Sequence, residues 1–193
     1  NNCHTNLMAR ENLINAFKAA QWVMKNAPHE YERLVSKIGL DENEPLEWKK
    51  AGDNMYIPYE EETSIYPQDD SFLSKAVWDF ENTPKENYPL LLHYHPLVIY
   101  RHQVCKQADL VLALFLLGDM FTLDEKKKNY DFYEPLTTHD SSLSTCIFGI
   151  VASEIGYHEK AYEYFMKTSR MDLDDFKGNT KNGVHTANMG GTW

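Results

Sequence analysis

Cysteine is scarce in this chain. Cys3, Cys105 and Cys146 are odd in number and far apart, which leaves no readable disulfide framework and none of the paired spacing of a zinc site. Cys105 and Cys146 lie among apolar helical residues and read as buried thiols. Long hydrophobic runs are also missing: the most apolar stretch, Leu110 to Leu117, is far too short to span a bilayer. Positive charge is in deficit, with 19 Lys and Arg against 29 Asp and Glu and a formal net charge of −10. That balance argues against nucleic acid or an anionic membrane as a partner. The chain opens Asn1-Asn2 without Met and shows no signal peptide, so the native start is expected upstream and the compartment is expected to be a reducing cytoplasm.

What is present is helical periodicity. From Thr5 to Lys25 the apolar residues Leu7, Met8, Leu13, Ile14, Phe17, Ala20 and Val23 recur at helical spacing with one wet face. Asn26-Ala27-Pro28 ends that helix, His29 to Ile38 forms a second closed by Gly39, and Glu44 to Gly52 a third. Residues 53–100 hold five prolines and many aromatics. That is too long for an idle connection, so the stretch is expected to pack against something or to shape a site. Arg101 to Leu117 then reads as one helix, buried all round at its apolar end. Thr122 caps a charged helix, and the alternation repeats with an apolar helix from Ser142 to Ile155 and an amphipathic one from Tyr157 to Arg170. Gly118 and Gly156 occupy the same place in the two pairs. The pattern predicts an all-α array of helical hairpins, open or closed into a ring.

Three helix entrances carry more polar chemistry than capping needs. They are Arg101-His-Gln-Val-Cys-Lys106-Gln107-Ala-Asp109, Glu134-Pro-Leu-Thr-Thr-His139-Asp140-Ser141-Ser142-Leu-Ser144 and Gly183-Val-His185-Thr-Ala-Asn188-Met-Gly-Gly-Thr-Trp193. Helix N-termini present free N–H groups and partial positive charge, which suit anions and sugar hydroxyls. Three together point to a shared polar pocket.

The same segments, with Met55-Tyr-Ile-Pro-Tyr, Pro67-Gln-Asp-Asp-Ser-Phe72 and Met171-Asp-Leu-Asp-Asp175, resemble glycoside hydrolase family 65, the disaccharide phosphorylases of maltose, trehalose, kojibiose and related α-glucosides. The resemblance covers residues 1–193 and implies roughly the second half of an (α/α)6 catalytic barrel, with 53–100 as a long loop insertion. It implies that Lys106 and Gln107 bind the glucose at the cleaved bond, and that Ser141, Ser142 and His185 hold phosphate. It implies inverting phosphorolysis of an α-linked glucose disaccharide, with inorganic phosphate as co-substrate and no cofactor or metal, giving β-glucose 1-phosphate and a free sugar. Maltose is the first expectation, with kojibiose, trehalose and nigerose behind it. The family's general acid is a Glu in a motif just upstream of the Asn1-Asn2 segment. No catalytic residue is therefore expected here, and the chain alone is expected to be inactive, associating as an oligomer or with the complementary half of the barrel.

Each motif also has a structural reading. On residues alone, Lys106 and Gln107 sit one turn inside a buried helix, where a Lys usually snorkels or pairs with Asp109; the resemblance reverses that preference. One of Asp140, Ser141 and Ser142 caps a helix, and His139 is as apt for structure as for binding. Asp69 and Asp70 read as loop-structuring or sugar-binding groups, Lys126-Lys-Lys128 as a solvated face, and Trp48, Trp78 and Trp193 as core before sugar walls. For Gly183-Val-His185 the competing reading is a frayed tail, because Gly190-Gly191 makes a regular helix hard to hold without neighbours. Two other functions compete: a tetratricopeptide-like interaction module, prompted by Glu159-Lys-Ala-Tyr-Glu-Tyr-Phe165, and an (α/α)6 barrel glycoside hydrolase.

Overall fold

The computed structural model describes residues 2–193, and among these the fold is all-α apart from one two-residue strand pair and short 3-10 turns. The helices fall into two compact units, one reaching to Pro58 and the other spanning Tyr59–Trp193.

In the first unit, α1 (Cys3–Asn26) starts where the Asn2 side chain accepts the Thr5 N–H at 2.9 Å, meeting a donor that the first helical turn leaves open. α2 (Pro28–Ile38) begins on proline and ends at Gly39, whose φ of 67° suits a residue without Cβ. α3 (Glu44–Asp53) packs along α1. The approach is close: a Cβ on Gly52 would come within 2.9 Å of Ile14 Cδ1. Burial of Cys3 at the head of α1 pushes its thiol up to about 12.

The second unit opens with the irregular stretch, which is packed as the sequence predicts. Trp78, Leu90 and Ile99 form a small core with Phe80, Tyr88, Tyr94 and Val104 against it. The Trp78 indole N–H donates to Thr83 Oγ1 at 2.8 Å. Strand β1 (Ala76–Val77) pairs in parallel with β2 (His102–Gln103), and the helical turn α4 (Pro96–Ile99) lies between them in sequence.

The expected helix from Arg101 needs correction. The apolar helix α5 is Asp109–Leu116 only. The preceding residues are drawn out of helical geometry by partners elsewhere in the unit. His102 and Gln103 join β1, the Cys105 N–H donates to Leu136 O, and Cys105 O accepts from Thr138 N–H, both at 2.8 Å. Lys106 and Gln107 therefore lie on a loop before the helix, not one turn inside it. Burial around α5 is also one-sided: Leu110, Val111, Ala113 and Leu114 are inside, whereas Phe115 and Leu116 are exposed.

α6 (Leu123–Tyr133) begins with a capping box in which Thr122 and Glu125 satisfy each other's backbone N–H groups. α7 (Ser142–Glu154) and α8 (His158–Ser169) form a hairpin turned at Gly156, φ 84°. Tyr130 and Tyr133 of α6 and Phe148, Val151 and Ala152 of α7 fill the core. Lys126 is not a solvated residue: it is buried and ion-paired with Glu154, joining α6 to the end of α7. Gly118 leaves room for that pair, since a Cβ there would sit 3.1 Å from Lys126 Nζ.

The competing reading, a frayed C-terminal segment, is also corrected. Residues Thr186–Thr192 form α9, packed on α7 and α8. Asn188 is buried with its side-chain N–H donating to Thr168 O at 2.9 Å, and the hydroxyls of Thr168 and Thr192 are bonded. Gly191 permits the contact, because a Cβ there would run into Cys146 of α7. A residue pair that weakens an isolated helix here serves its docking.

Candidate functional site

The loop ahead of α5 and the loop ahead of α7 run side by side. Besides the Cys105 pairings, the Asp140 N–H donates to Lys106 O at 3.2 Å, so the Lys106-Gln107 and Ser141-Ser142 segments are held together by backbone. The third segment comes in from α9. A cleft of about 220 Å³ is lined by Gln107, Asp109 and Leu112 of the first segment, Leu143, Cys146 and Ile147 of the second, and Ala187 and Gly191 of the third. Three helix starts distant in sequence thus border one space. Of the expected site residues, only Gln107 lines it directly. Lys106 is its neighbour, Ser141 and Ser142 precede Leu143, and His185 stands two residues before Ala187. The cleft is mostly apolar, with Gln107 and Asp109 as its polar side chains.

Each of those groups has an identifiable support. Asp109 is gripped from two sides: Gln68 Nε2 donates to its Oδ2 at 3.0 Å and Gln107 Nε2 donates to its Oδ1 at 3.1 Å. One N–H of Gln107 is thereby committed to holding its own amide in place. The Lys106 side chain is exposed. Ser141 is the residue that caps α7, its Oγ accepting the Leu143 N–H at 3.3 Å; its hydroxyl proton is still available to an acceptor. Ser142 opens the helix itself. His185 contacts Asp172 twice: Nδ1 lies 2.6 Å from Oδ1, and the backbone N–H donates to Oδ2 at 2.9 Å.

His139 belongs to the scaffold. Tyr164 donates its hydroxyl to Glu134 Oε1 at 3.1 Å, so the Tyr164 oxygen receives Nε2–H of His139, 3.2 Å away. Nδ1 is then the acceptor for the Ser144 hydroxyl at 2.9 Å. Both ring nitrogens are occupied by protein groups. Burial lowers the imidazole to about 4, which keeps it neutral. The backbone at His139 has φ 53°, a conformation that costs a non-glycine residue roughly 1 kcal/mol and is held here by the bonded side chain. Lys177 Nζ donates to the His139 and Asp140 carbonyls at 3.0 and 3.4 Å, fixing the same turn from outside.

Asp69 is a loop-structuring group: it accepts from Ser71 N–H and Oγ and pairs with Lys75 at 2.8 Å. Burial opposes its ionisation, but the Lys75 and Ser71 bonds outweigh it and hold the carboxyl below its ordinary value. Trp78 is core and Trp193 is fully exposed. Sequence reasoning missed Gln68 and Asp172 as supports, and it offered Asp109 to Lys106 where the structure gives it to Gln68 and Gln107. Each lies inside a motif that carried the resemblance, but only the fold reveals which partner it holds. Burial raises the Cys105 thiol to about 12, in keeping with an inert buried group. Among the described residues no helix is long and apolar enough to cross a membrane.

The central catalytic domain model of glycosyl hydrolase family 65 matches residues 1–193. An α,α-trehalose phosphorylase of Thermoanaerobacter brockii is 55% identical over 193 residues, covering 100% of this chain and 25% of the relative. A kojibiose phosphorylase of Halothermothrix orenii is 38% identical, again over 100% of this chain and 25% of its own length. A solved structure from the human microbiome, assigned as a kojibiose phosphorylase, superposes with a TM-score of 0.87 at 31% identity, over 100% of this chain and 26% of that one. The chain spans about a quarter of the length of the curated relatives it matches.

Proposed function

Because the chain belongs to glycosyl hydrolase family 65, we propose that it contributes the glucose- and phosphate-contacting part of an inverting disaccharide phosphorylase. One observation carries the reading: a single cleft is lined by Gln107, by Leu143 directly after Ser141-Ser142, and by Ala187 two residues after His185, three points far apart in sequence. Lys106 and Gln107 supply donors, and Gln107 an acceptor, to vicinal sugar hydroxyls. The Ser141 and Ser142 hydroxyls and the His185 ring suit phosphate oxygens. A tetratricopeptide-like module has no use for such a constellation.

In the reaction, a carboxylic acid outside these residues protonates the glycosidic oxygen. A phosphate oxygen attacks the anomeric carbon from the opposite face, and that carbon's bond to the leaving sugar breaks. Phosphate takes the part that activated water plays in an inverting hydrolase, so one catalytic carboxylate is enough. The products are β-glucose 1-phosphate and the free sugar. The 55% identity to a trehalose phosphorylase, against 38% to a kojibiose phosphorylase, moves the preferred donor from maltose to α,α-trehalose. The buried thiols at Cys3, Cys105 and Cys146 are in keeping with a reducing cytoplasm.

The test is product analysis with the full-length enzyme that carries this chain. Glucose 1-phosphate of β configuration should form from trehalose only when phosphate is present, and the isolated chain should form none. Phosphate-independent release of glucose would instead identify a hydrolase of the same fold.

A further inference from the structure

We propose that Asp172 is a positioning residue that fixes His185 with its Nε2 toward phosphate. This rests on the assignment of His185 to the phosphate. Both oxygens of the Asp172 carboxylate face His185, Oδ1 at 2.6 Å from Nδ1 and Oδ2 accepting the backbone N–H at 2.9 Å. The bond from the imidazole, and then that from the backbone, hold the Asp172 carboxyl below its ordinary value, so it acts as an acceptor only. Nδ1 must therefore carry a proton in either charge state of the ring. Nε2 is left as the working nitrogen, a donor to a phosphate oxygen when the ring is charged and an acceptor for a phosphate hydroxyl when it is neutral.

The second bond, to the backbone, matters as much as the first. Two contacts from one carboxylate fix both the chain position and the ring of His185, just after Gly183 with its φ of 128°. Both partners are largely shielded, with side chains 20% and 17% exposed, which strengthens a charge-assisted bond relative to water. The loop bearing Asp172 is itself held. Arg170 makes two bonds of 2.6 Å to Asp174, the Phe176 N–H donates to Met171 O at 3.1 Å, and Met171 is buried. Lys177 of that loop also donates to the carbonyls of His139 and Asp140, directly before Ser141. One loop therefore sets two of the proposed phosphate contacts relative to each other, the Ser141 turn through Lys177 and the His185 ring through Asp172.

The experiment uses the full-length enzyme, unlabelled for kinetics and labelled with ¹⁵N-histidine for spectroscopy. Long-range ¹H–¹⁵N correlation should show His185 as the Nδ1–H form in the unaltered enzyme, with a shift toward the Nε2–H tautomer in Asp172→Ala. Asp172→Ala should raise KM for inorganic phosphate on the order of tenfold, the scale of a lost bond to a charged group, and leave KM for the disaccharide within about twofold. Asp172→Asn keeps shape and one acceptor oxygen, so it should fall between the two and serves if Asp172→Ala does not fold. His185→Ala separates the levels of the argument. If it leaves KM for phosphate unchanged, the phosphate assignment itself fails. If it raises that constant while both Asp172 variants leave it and the tautomer unaltered, the positioning role fails. Equal increases in both KM values would show a merely structural aspartate and would also overturn it.

Discussion

Adjacent glycines in α9 should respond to alanine with opposite signs. Around Gly190 there is nothing within 4 Å of an added Cβ, so Gly190→Ala should express only helix propensity, a gain of up to about 1 kcal/mol that is reduced near a helix end. At Gly191 the added Cβ would overlap Cys146 Sγ and stand 3.1 Å from Cys146 Cβ. The sulfur has somewhere to go, for clefts of about 340 and 220 Å³ flank the contact. The Cys146 Cβ does not, being fixed to the backbone of α7, so α9 must lift. Overpacking of this sort costs roughly 1–3 kcal/mol; offset by the propensity gain, Gly191→Ala should lose about 1 kcal/mol, or roughly 2–4 °C in Tm at this chain length. Urea and thermal unfolding measure the difference, and the labelling rate of Cys146 by a thiol reagent reports whether α9 has lifted. Cys146→Gly made in the Gly191→Ala background removes the Cys146 Cβ and should recover part of the loss relative to Cys146→Gly alone, a coupling of about 0.5–2 kcal/mol. Two stabilising alanines, or no coupling between Gly191→Ala and Cys146→Gly, would refute the claim that α9 docks through Gly191.

Lys126→Met should destabilise by roughly 1–3 kcal/mol, because it strands the half-shielded Glu154 carboxylate, and adding Glu154→Gln should return much of that in the same urea titration. His139 has a folded-state value of about 4 against an ordinary 6.5, so its contribution is complete above about pH 6.5 and is lost as pH falls toward 4, amounting to up to about 3 kcal/mol. Stability against pH for His139→Gln should be flatter across that window. In the full-length enzyme Lys106→Ala and Gln107→Ala should act mainly on the disaccharide constants and His185→Ala on the phosphate constant; equal effects on both substrates would reduce all three to scaffold. The second unit exposes Phe115 and Leu116 of α5, Leu143 of α7 and Tyr162 and Phe165 of α8, so self-association should appear in sedimentation as concentration rises, and a strictly monomeric chain at all concentrations would contradict this.

Helix boundaries were legible mainly where the deciding interaction was local. Thr122 and Ser141 cap helices through residues two or three positions away, and Gly39 and Gly156 end them by backbone conformation alone, whereas the Asn2 cap that starts α1 at Cys3 was not read. The start of α5 was not legible, because what keeps residues 102–106 extended lies elsewhere: β1 on one side, and Leu136, Thr138 and Asp140 on the other. Apolar periodicity carries no record of such partners, so it extended the helix back to Arg101. The same limit applies to Lys126, whose lysine run reads as solvent-facing until Glu154 is brought against it from the end of α7.

The site divides along the same line. The sequence pointed to three polar helix starts sharing a space, since capping alone does not use so many hydroxyl, imidazole and amide groups, and residues from all three line one cleft. Which of those groups are free to act does not follow. His139 and His185 look alike in the sequence, each a histidine just ahead of a helix. Structure separates them by their second nitrogen: His139 gives both to Ser144 and Tyr164, whereas His185 gives Nδ1 to a carboxylate and among the described residues keeps Nε2 without a protein partner. If His185 holds phosphate as proposed, scaffold and site are told apart by unspent hydrogen-bonding capacity, which is a property of the fold. The residues that create it, Tyr164 for one histidine and Asp172 for the other, lie 25 and 13 positions away in the chain.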